Sequence, residues 1–361
     1  MAYKQKIFLC FIFLIFTVSC GGGGGGDDGE VNPIPPNEVL NTGLVGKLVF
    51  GWNDLFYIME ADTGKYSVIP NTNWKEQRDR FPFAGVTSFH PNPIEHDNTE
   101  YLVIGEEVSD SYVFMQDYSG NVLGQFRLDE QAMHGSMSQD HQYVALFRQI
   151  GSVSSDPWLE IYTRDGRLID DKQFEDRQLI WLRDNRILFS NNRTFHFTRQ
   201  VSTEVEYSLT LPSTVTEGLI GDKAISPNES QIVFTVAESG ETFLHGAINS
   251  RLYIMNMDGT DVRLLATTYN DEEPSITVPT WSPDGRWILV TEGRKPQEAG
   301  GAPGNLYLIP ADNPGNVYYL STIESERSQE VRMFYRYNTL PGEGGGITNK
   351  SSGLRFKWIP D

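Results

Sequence analysis

Six histidines, two cysteines and a scatter of carboxylates are the side chains in this 361-residue chain whose types could do chemistry. The histidines, His90, His96, His134, His141, His196 and His245, are far apart and form no His-Glu-x-x-His zinc pair. A Gly-x-Ser-x-Gly nucleophile elbow, a phosphate loop and a dinucleotide fingerprint are all missing. Asn256, Asp258 and Asp261 lie close together but lack the spacing and closing glutamate of a calcium loop, and a tight hairpin explains Asp258-Gly259. No metal, no cofactor and no catalytic residue set is therefore expected. Cys10 lies inside an apolar leader and Cys20 at its end, so the folded part has no thiol for a disulfide, a nucleophile or a thiolate metal site.

The charge balance narrows the partners. With 29 basic against 48 acidic residues the net charge is -19, which repels phosphate backbones, and no nucleic-acid partner is expected. At 39% hydrophobic the chain is too apolar to be disordered throughout, and its length allows one large domain or two ordinary ones.

Lys4 and Lys6 precede an apolar run from Ile7 to Phe16, and then come Thr17, Val18, Ser19 and Cys20. This is a secretory signal pattern, about half as long as a membrane-spanning helix needs. The Thr-Val-Ser-Cys end resembles the lipobox of bacterial lipoproteins. That resemblance implies cleavage after residue 19, lipid on Cys20 and, with glycine rather than aspartate at 21, an outer-membrane address. The alternative is an ordinary signal peptide with an incidental cysteine. Loss of the leader removes two lysines and takes the net charge from -19 to -21. Gly21 to Gly26 and a Pro-rich stretch then make residues 20–43 a lipid-bearing tether that spans about 25 Å as a coil.

Beyond residue 43 short β-branched and aromatic runs are broken by turn residues every eight to twelve positions, an all-β signal. Two units alternate. One is an aromatic strand running into a tight turn at Gly64, Gly120, Gly166, Gly259 and Gly315, with a weaker copy at Phe195 to Ser202. Each such strand is expected to be half-buried. The other is a five-residue turn: Ser88-Phe-His-Pro-Asn92, Ser136-Met-Ser-Gln-Asp140, Ile180-Trp-Leu-Arg-Asp184, Ala224-Ile-Ser-Pro-Asn228 and Thr280-Trp-Ser-Pro-Asp284. Together they describe a four-stranded meander. A sixth turn copy ends the chain at Trp358-Ile-Pro-Asp361, whereas the first hairpin has no turn copy upstream. Head and tail are complementary fragments, so residues 353–361 are expected to complete a blade begun by about 45–70 and close a ring.

The expected fold is thus a six-bladed β-propeller of four-stranded blades over residues 44–361. At about 53 residues per blade it exceeds the usual 40–45, so seven blades is the alternative. The excess falls in insertions at 237–250, 292–304 and 324–352, with an additional strand at 331–337. Trp181, Trp281 and Trp358 recur at equivalent points, which favours packing between blades over a carbohydrate platform. A ligand site would sit in the axial funnel where the inner strands start, at His134, Arg177, Lys223 and Arg355, a local cationic reversal suited to an anion.

Tyr253 to Leu265 and Thr280-Trp-Ser-Pro-Asp-Gly-Arg-Trp-Ile288 resemble the WD-like repeats of TolB-type β-propellers. Those proteins are periplasmic interaction hubs with an additional α/β domain, whose place only the tether occupies here. Such blades occur in binding proteins, peptidase accessory domains and some lyases, and the expected function is a non-catalytic, membrane-tethered binding module of the bacterial cell envelope, with an envelope protein or glycan as partner. The alternative is a polysaccharide lyase or hydrolase working through the funnel.

Overall fold

In the computed structural model the residues described are 42–52, 55–69, 92–93, 100–106, 111–129, 132–148, 158–173, 179–215, 217–238, 242–243, 246–247, 250–268, 275–293, 305–312, 315–321, 323–335 and 356–361. All lie in the compact unit Pro36–Asp361. Their strands make six small sheets in a ring, a six-bladed β-propeller.

Blade 1 holds β1 (Lys47–Trp52), β2 (Leu55–Glu60) and β3 (Tyr66–Val68). Blade 2 is β4 (Asn92–Pro93), β5 (Glu100–Glu106), β6 (Ser111–Asp117) and β7 (Val122–Leu128). Blade 3 is β8 (Ala132–Met137), β9 (Tyr143–Arg148), β10 (Trp158–Thr163) and β11 (Leu168–Gln173). Blade 4 is β12 (Ile180–Trp181), β13 (Ile187–Asn191), β14 (Thr194–Thr198) and β15 (Val205–Thr210). Blade 5 begins with β16 (Gly218–Ile225) and β17 (Gln231–Glu238), is interrupted by a small hairpin of β18 (Thr242–Phe243) and β19 (Gly246–Ala247), and resumes with β20 (Ser250–Asn256) and β21 (Arg263–Thr268). Blade 6 starts with β22 (Ser275–Trp281), β23 (Trp287–Gly293) and β24 (Asn305–Pro310). β25 (Tyr318–Leu320) then leaves that blade and runs parallel to β21, pairing Ala266 with Tyr318, before β26 (Arg332–Tyr335) returns as the fourth strand. The additional strand expected at 331–337 is therefore the regular outer strand of blade 6, and β25 is the extra one.

Ring closure follows the expectation. β27 (Phe356–Ile359) pairs antiparallel with β1, from Lys47 opposite Ile359 to Phe50 opposite Phe356, and becomes the inner strand of blade 1. Trp358 Nε1 donates to Val45 O at 2.8 Å, and Arg332 ties the outer strand of blade 6 to Thr42 O while lying 4.7 Å from the Trp287 ring centroid.

The repeated residues have local reasons. In the five-residue turn Ser138, Ser226 and Ser282 each donate a hydroxyl to the carboxylate or amide oxygen two residues on, and accept the N–H five residues on, from Tyr143, Gln231 and Trp287. That box closes the turn between inner and second strands. In the aromatic hairpins Gly64, Gly120, Gly166 and Gly259 have φ between 67° and 86°, the left-handed backbone that only glycine adopts cheaply.

Among the described residues six hydrophobic clusters hold the ring, each shared by two neighbouring blades. In β9, Val144 and Leu146 join the core with blade 2, while Ala145 and Phe147 join the core with blade 4. The aromatic strands β6, β10 and β20 are likewise buried on both faces rather than half-buried. The reason is stacking: each blade has a neighbour on either side, although β14 keeps an alternation of half-buried Thr194 and His196 with buried Phe195 and Phe197, and the outer strand β7 is mostly open.

Candidate functional site

The inner strands β27, β4, β8, β12, β16 and β22 line the axis, and the two ends of these strands differ. At their starts lay the expected funnel. Arg177 and Arg355 fall outside the described residues, as does Cys20. His134 sits in β8 opposite Phe147, and its side chain is likewise outside the description. Lys223, in β16, is 2% exposed, and its Nζ donates to Ser190 Oγ of β13 in blade 4 at 3.0 Å. Its ammonium thus makes a hydrogen bond between blades 4 and 5.

At the other end, where the inner strands run into their turns, a cavity of about 170 Å³ opens among blades 4, 5, 6 and 1. Its wall is built from the same positions of successive turn copies. The first position contributes Ala224, Thr280 and Lys357; the second contributes Ile225, Trp281 and Trp358. The fourth contributes Pro227, Pro283 and Pro360, with Arg183 in blade 4. Among these described residues there is no carboxylate and no imidazole, so the wall offers hydrogen-bond donors and apolar surface. Among the described residues no group of three His, Cys, Asp or Glu could hold a metal.

The electrostatics of the wall come from Lys357 and Arg183. Lys357 is 8% exposed, opposite Val49 in the closing sheet. Arg183 is more open and is held in place: Nη2 donates to Pro227 O at 2.5 Å, and Nε lies 4.0 Å from Glu229 Oε1. Glu229 also accepts from the Arg183 N–H and from Gln139 Nε2, so the turns of blades 3, 4 and 5 are tied together.

The three tryptophans of the second position are 3–5% exposed and belong to the clusters between blades, which fits packing rather than a platform. Their indole nitrogens differ. Trp181 Nε1 donates to Ser136 O at 3.1 Å and Trp358 Nε1 to Val45 O, but Trp281 Nε1 is buried with no hydrogen-bond partner. The unpartnered one lines the cavity.

Polar ties continue around this face. Asn185 Nδ2 donates to Asp140 Oδ2 at 2.8 Å, linking blades 4 and 3. Burial pulls the Asp140 carboxyl upward, but hydrogen bonds from Ser138, Asn185 and the Gln142 N–H outweigh it and hold it below the usual carboxylate range. Glu100 of blade 2 lies 2.9 Å from His141 Nδ1 and 2.7 Å from Arg164 Nη2, both of blade 3. His141 takes the left-handed turn position that Gly285 fills in blade 6, which assigns it a structural role. His196, in β14, stacks on Phe189 at 4.9 Å and shares a hydrogen bond with Ser208.

Sequence reasoning did not single out Lys357 or Arg183, although each is the one cation at its position among the six turn copies.

No family model matches the chain, and no curated protein matches it. Among solved structures it is similar to a protein designated TolB from Agrobacterium tumefaciens, with 13% identity over 88% of this chain and 99% of that one and a TM-score of 0.46. A protein of unknown function from Bacteroides caccae matches at 12% identity over 74% and 90% with a TM-score of 0.45. Kuenenia stuttgartiensis hydrazine synthase matches at 13% identity with a TM-score of 0.45, over 63% of this chain, and the chain spans 64% of that one. These likenesses are of fold.

Proposed function

We propose that this β-propeller is a lipid-tethered, non-catalytic binding module of the bacterial cell envelope, which engages an envelope protein or glycan at the turn-face cavity. The cavity wall carries the reading. Its donors and indoles can hold a partner, while none of its described residues is a carboxylate or imidazole that could act as general base toward a bound sugar. The ties among Gln139, Arg183, Glu229, Asn185 and Asp140 make this face rigid before anything binds, which lowers the ordering cost of association. The tether reading rests on Lys4, Lys6, the apolar run and Cys20, together with the glycines that follow.

The test has two arms. The parent chain, expressed in a bacterial host fed a labelled fatty acid, is expected to incorporate label and partition into detergent, and Cys20→Ala to do neither. The purified chain is expected to retain an envelope component without releasing reducing or unsaturated sugar ends from acidic polysaccharides. Turnover in that second arm would remove the non-catalytic reading, and an unlabelled parent would remove the tether.

A further inference from the structure

The turn copies supply an internal standard against which two residues stand out. At the first position Ser88, Ser136, Ile180, Ala224 and Thr280 are uncharged, and the sixth copy has Lys357. At the fourth, Pro91, Pro227, Pro283 and Pro360 are joined by Gln139, and blade 4 has Arg183. The Ser226 and Ser282 boxes close beside the uncharged Ala224 and Thr280, and Arg183 also ties blade 4 to Pro227 O and Glu229. Both departures nevertheless line one cavity, in a chain whose net charge is -19. The third observation is Trp281, which lines the same cavity with a buried indole N–H that has no acceptor, a state that costs free energy until an acceptor arrives.

From these the geometry points to a carboxylate-binding site: Lys357 supplies the charge, Arg183 and the Trp281 N–H supply hydrogen bonds, and the prolines form an apolar rim. Glu229 offsets part of the Arg183 charge, so the wall matches a monoanion better than a phosphate dianion. A volume of 170 Å³ is that of about five or six waters, so the occupant is one residue or one sugar ring, with any longer chain leading out past the rim. Nε1 is itself covered, so the carboxylate reaches it by shifting the wall, and intrinsic fluorescence reports the event. This inference deepens the binding reading above and rests on it for the site.

The carboxylate has two sources, an acidic sugar or a peptide, and the probes separate them. The full chain in detergent micelles is titrated by calorimetry and fluorescence with D-glucuronate and N-acetylglycine, with glucose and inorganic phosphate as contrasts. Saturable one-to-one binding of a carboxylate is expected, and whichever probe binds tighter assigns the source. Lys357→Thr, which copies Thr280, is expected to weaken it about tenfold or more, and Arg183→Gln, which copies Gln139, and Trp281→Phe about three- to tenfold each. A thermal melt checks folding, and Arg183→Gln decides if Lys357→Thr does not fold. Three results overturn the site: neither carboxylate saturates, phosphate or glucose binds as tightly, or the folded variants bind like the parent. If Lys357→Thr loses carboxylate but keeps its envelope partner, the proposed function fails at this cavity while the carboxylate site stands; the converse pattern sinks only the carboxylate.

Discussion

Trp181, Trp281 and Trp358 occupy one position of the repeat, are equally buried, and differ in what their indole N–H meets, so a Trp→Phe series isolates that difference. Each variant loses the same ring volume, and this common packing loss cancels in the comparison. Trp181→Phe also removes a hydrogen bond to Ser136 O, worth about 0.5–1.5 kcal/mol net. Trp358→Phe removes the bond to Val45 O, but Val45 is exposed, so water can replace part of it. Trp281→Phe removes no bond and deletes a buried donor whose desolvation costs about 1–3 kcal/mol. Trp281→Phe should therefore be more stable than Trp181→Phe by about 2 kcal/mol or more. With an m-value of about 3 kcal/mol/M, this separates their urea midpoints by about 0.7 M. Equilibrium urea unfolding, followed by far-UV circular dichroism with m held constant across the series, is the assay. Coincident midpoints for Trp281→Phe and Trp181→Phe would refute the reasoning, because they would mean that the Trp281 N–H is satisfied in the folded protein.

Three further perturbations address backbone, closure and pH. Gly166→Ala meets Phe126 Cβ at 2.6 Å and places a side chain at φ 86°, whereas Gly43→Ala, at φ 66° with nothing within 4 Å, has only the backbone strain. Gly43→Ala should cost about 1–2 kcal/mol and Gly166→Ala clearly more, read as urea midpoints; equal losses would contradict the packing. Truncation before residue 353 removes β27 and exposes the β1 edge, so cooperative melting should be lost or self-association should appear in size-exclusion chromatography, and a truncated chain that melts like the parent would contradict the closure. Asp140 and Asp170 are both held below their ordinary value. For Asp170, burial raises it, and hydrogen bonds from the Thr203 N–H, Ser202 and the Thr203 hydroxyl overcome that effect. A depressed folded pKa gives stability that is complete above the unfolded value near 4 and lost as pH falls through the folded one, so unfolding should steepen below about pH 4. Asp140→Asn with Asp170→Asn should flatten that acid limb while leaving its shape above pH 5 unchanged, as measured by melting temperature against pH.

What could be read before any coordinates was what local chemistry writes. Ser138, Ser226 and Ser282 with their partners two residues on make the same hydrogen-bonded turn each time, so counting copies counted blades. The complementary fragments at the two ends announced the pairing of β27 with β1. Burial of the aromatic strands on both faces was not readable, because alternation within β9 shows only that neighbouring side chains point to opposite sides; that both sides meet another blade is a fact about the ring. The parallel pairing of β25 with β21 was equally hidden, since Tyr318–Leu320 is a three-residue strand that leaves its own blade for the preceding one.

The turn-face cavity was not legible for a related reason. Searching for cations at the starts of inner strands chose Lys223, whose ammonium the fold places on Ser190 between blades. In a repeat protein the shared residues are accounted for by the architecture, as with the turn boxes of Ser138, Ser226 and Ser282 and the hairpin glycines. What distinguishes one blade from another is where a residue departs from the repeat. Lys357 breaks it beside Thr280, and Arg183 breaks it beside Pro227, on neighbouring walls of one cavity. Trp281 keeps the pattern in residue type yet lacks the acceptor that Trp181 and Trp358 have. The three departures lie in blades 4, 6 and 1 around one cavity, and the proposed carboxylate site rests on that asymmetry rather than on the repeat itself.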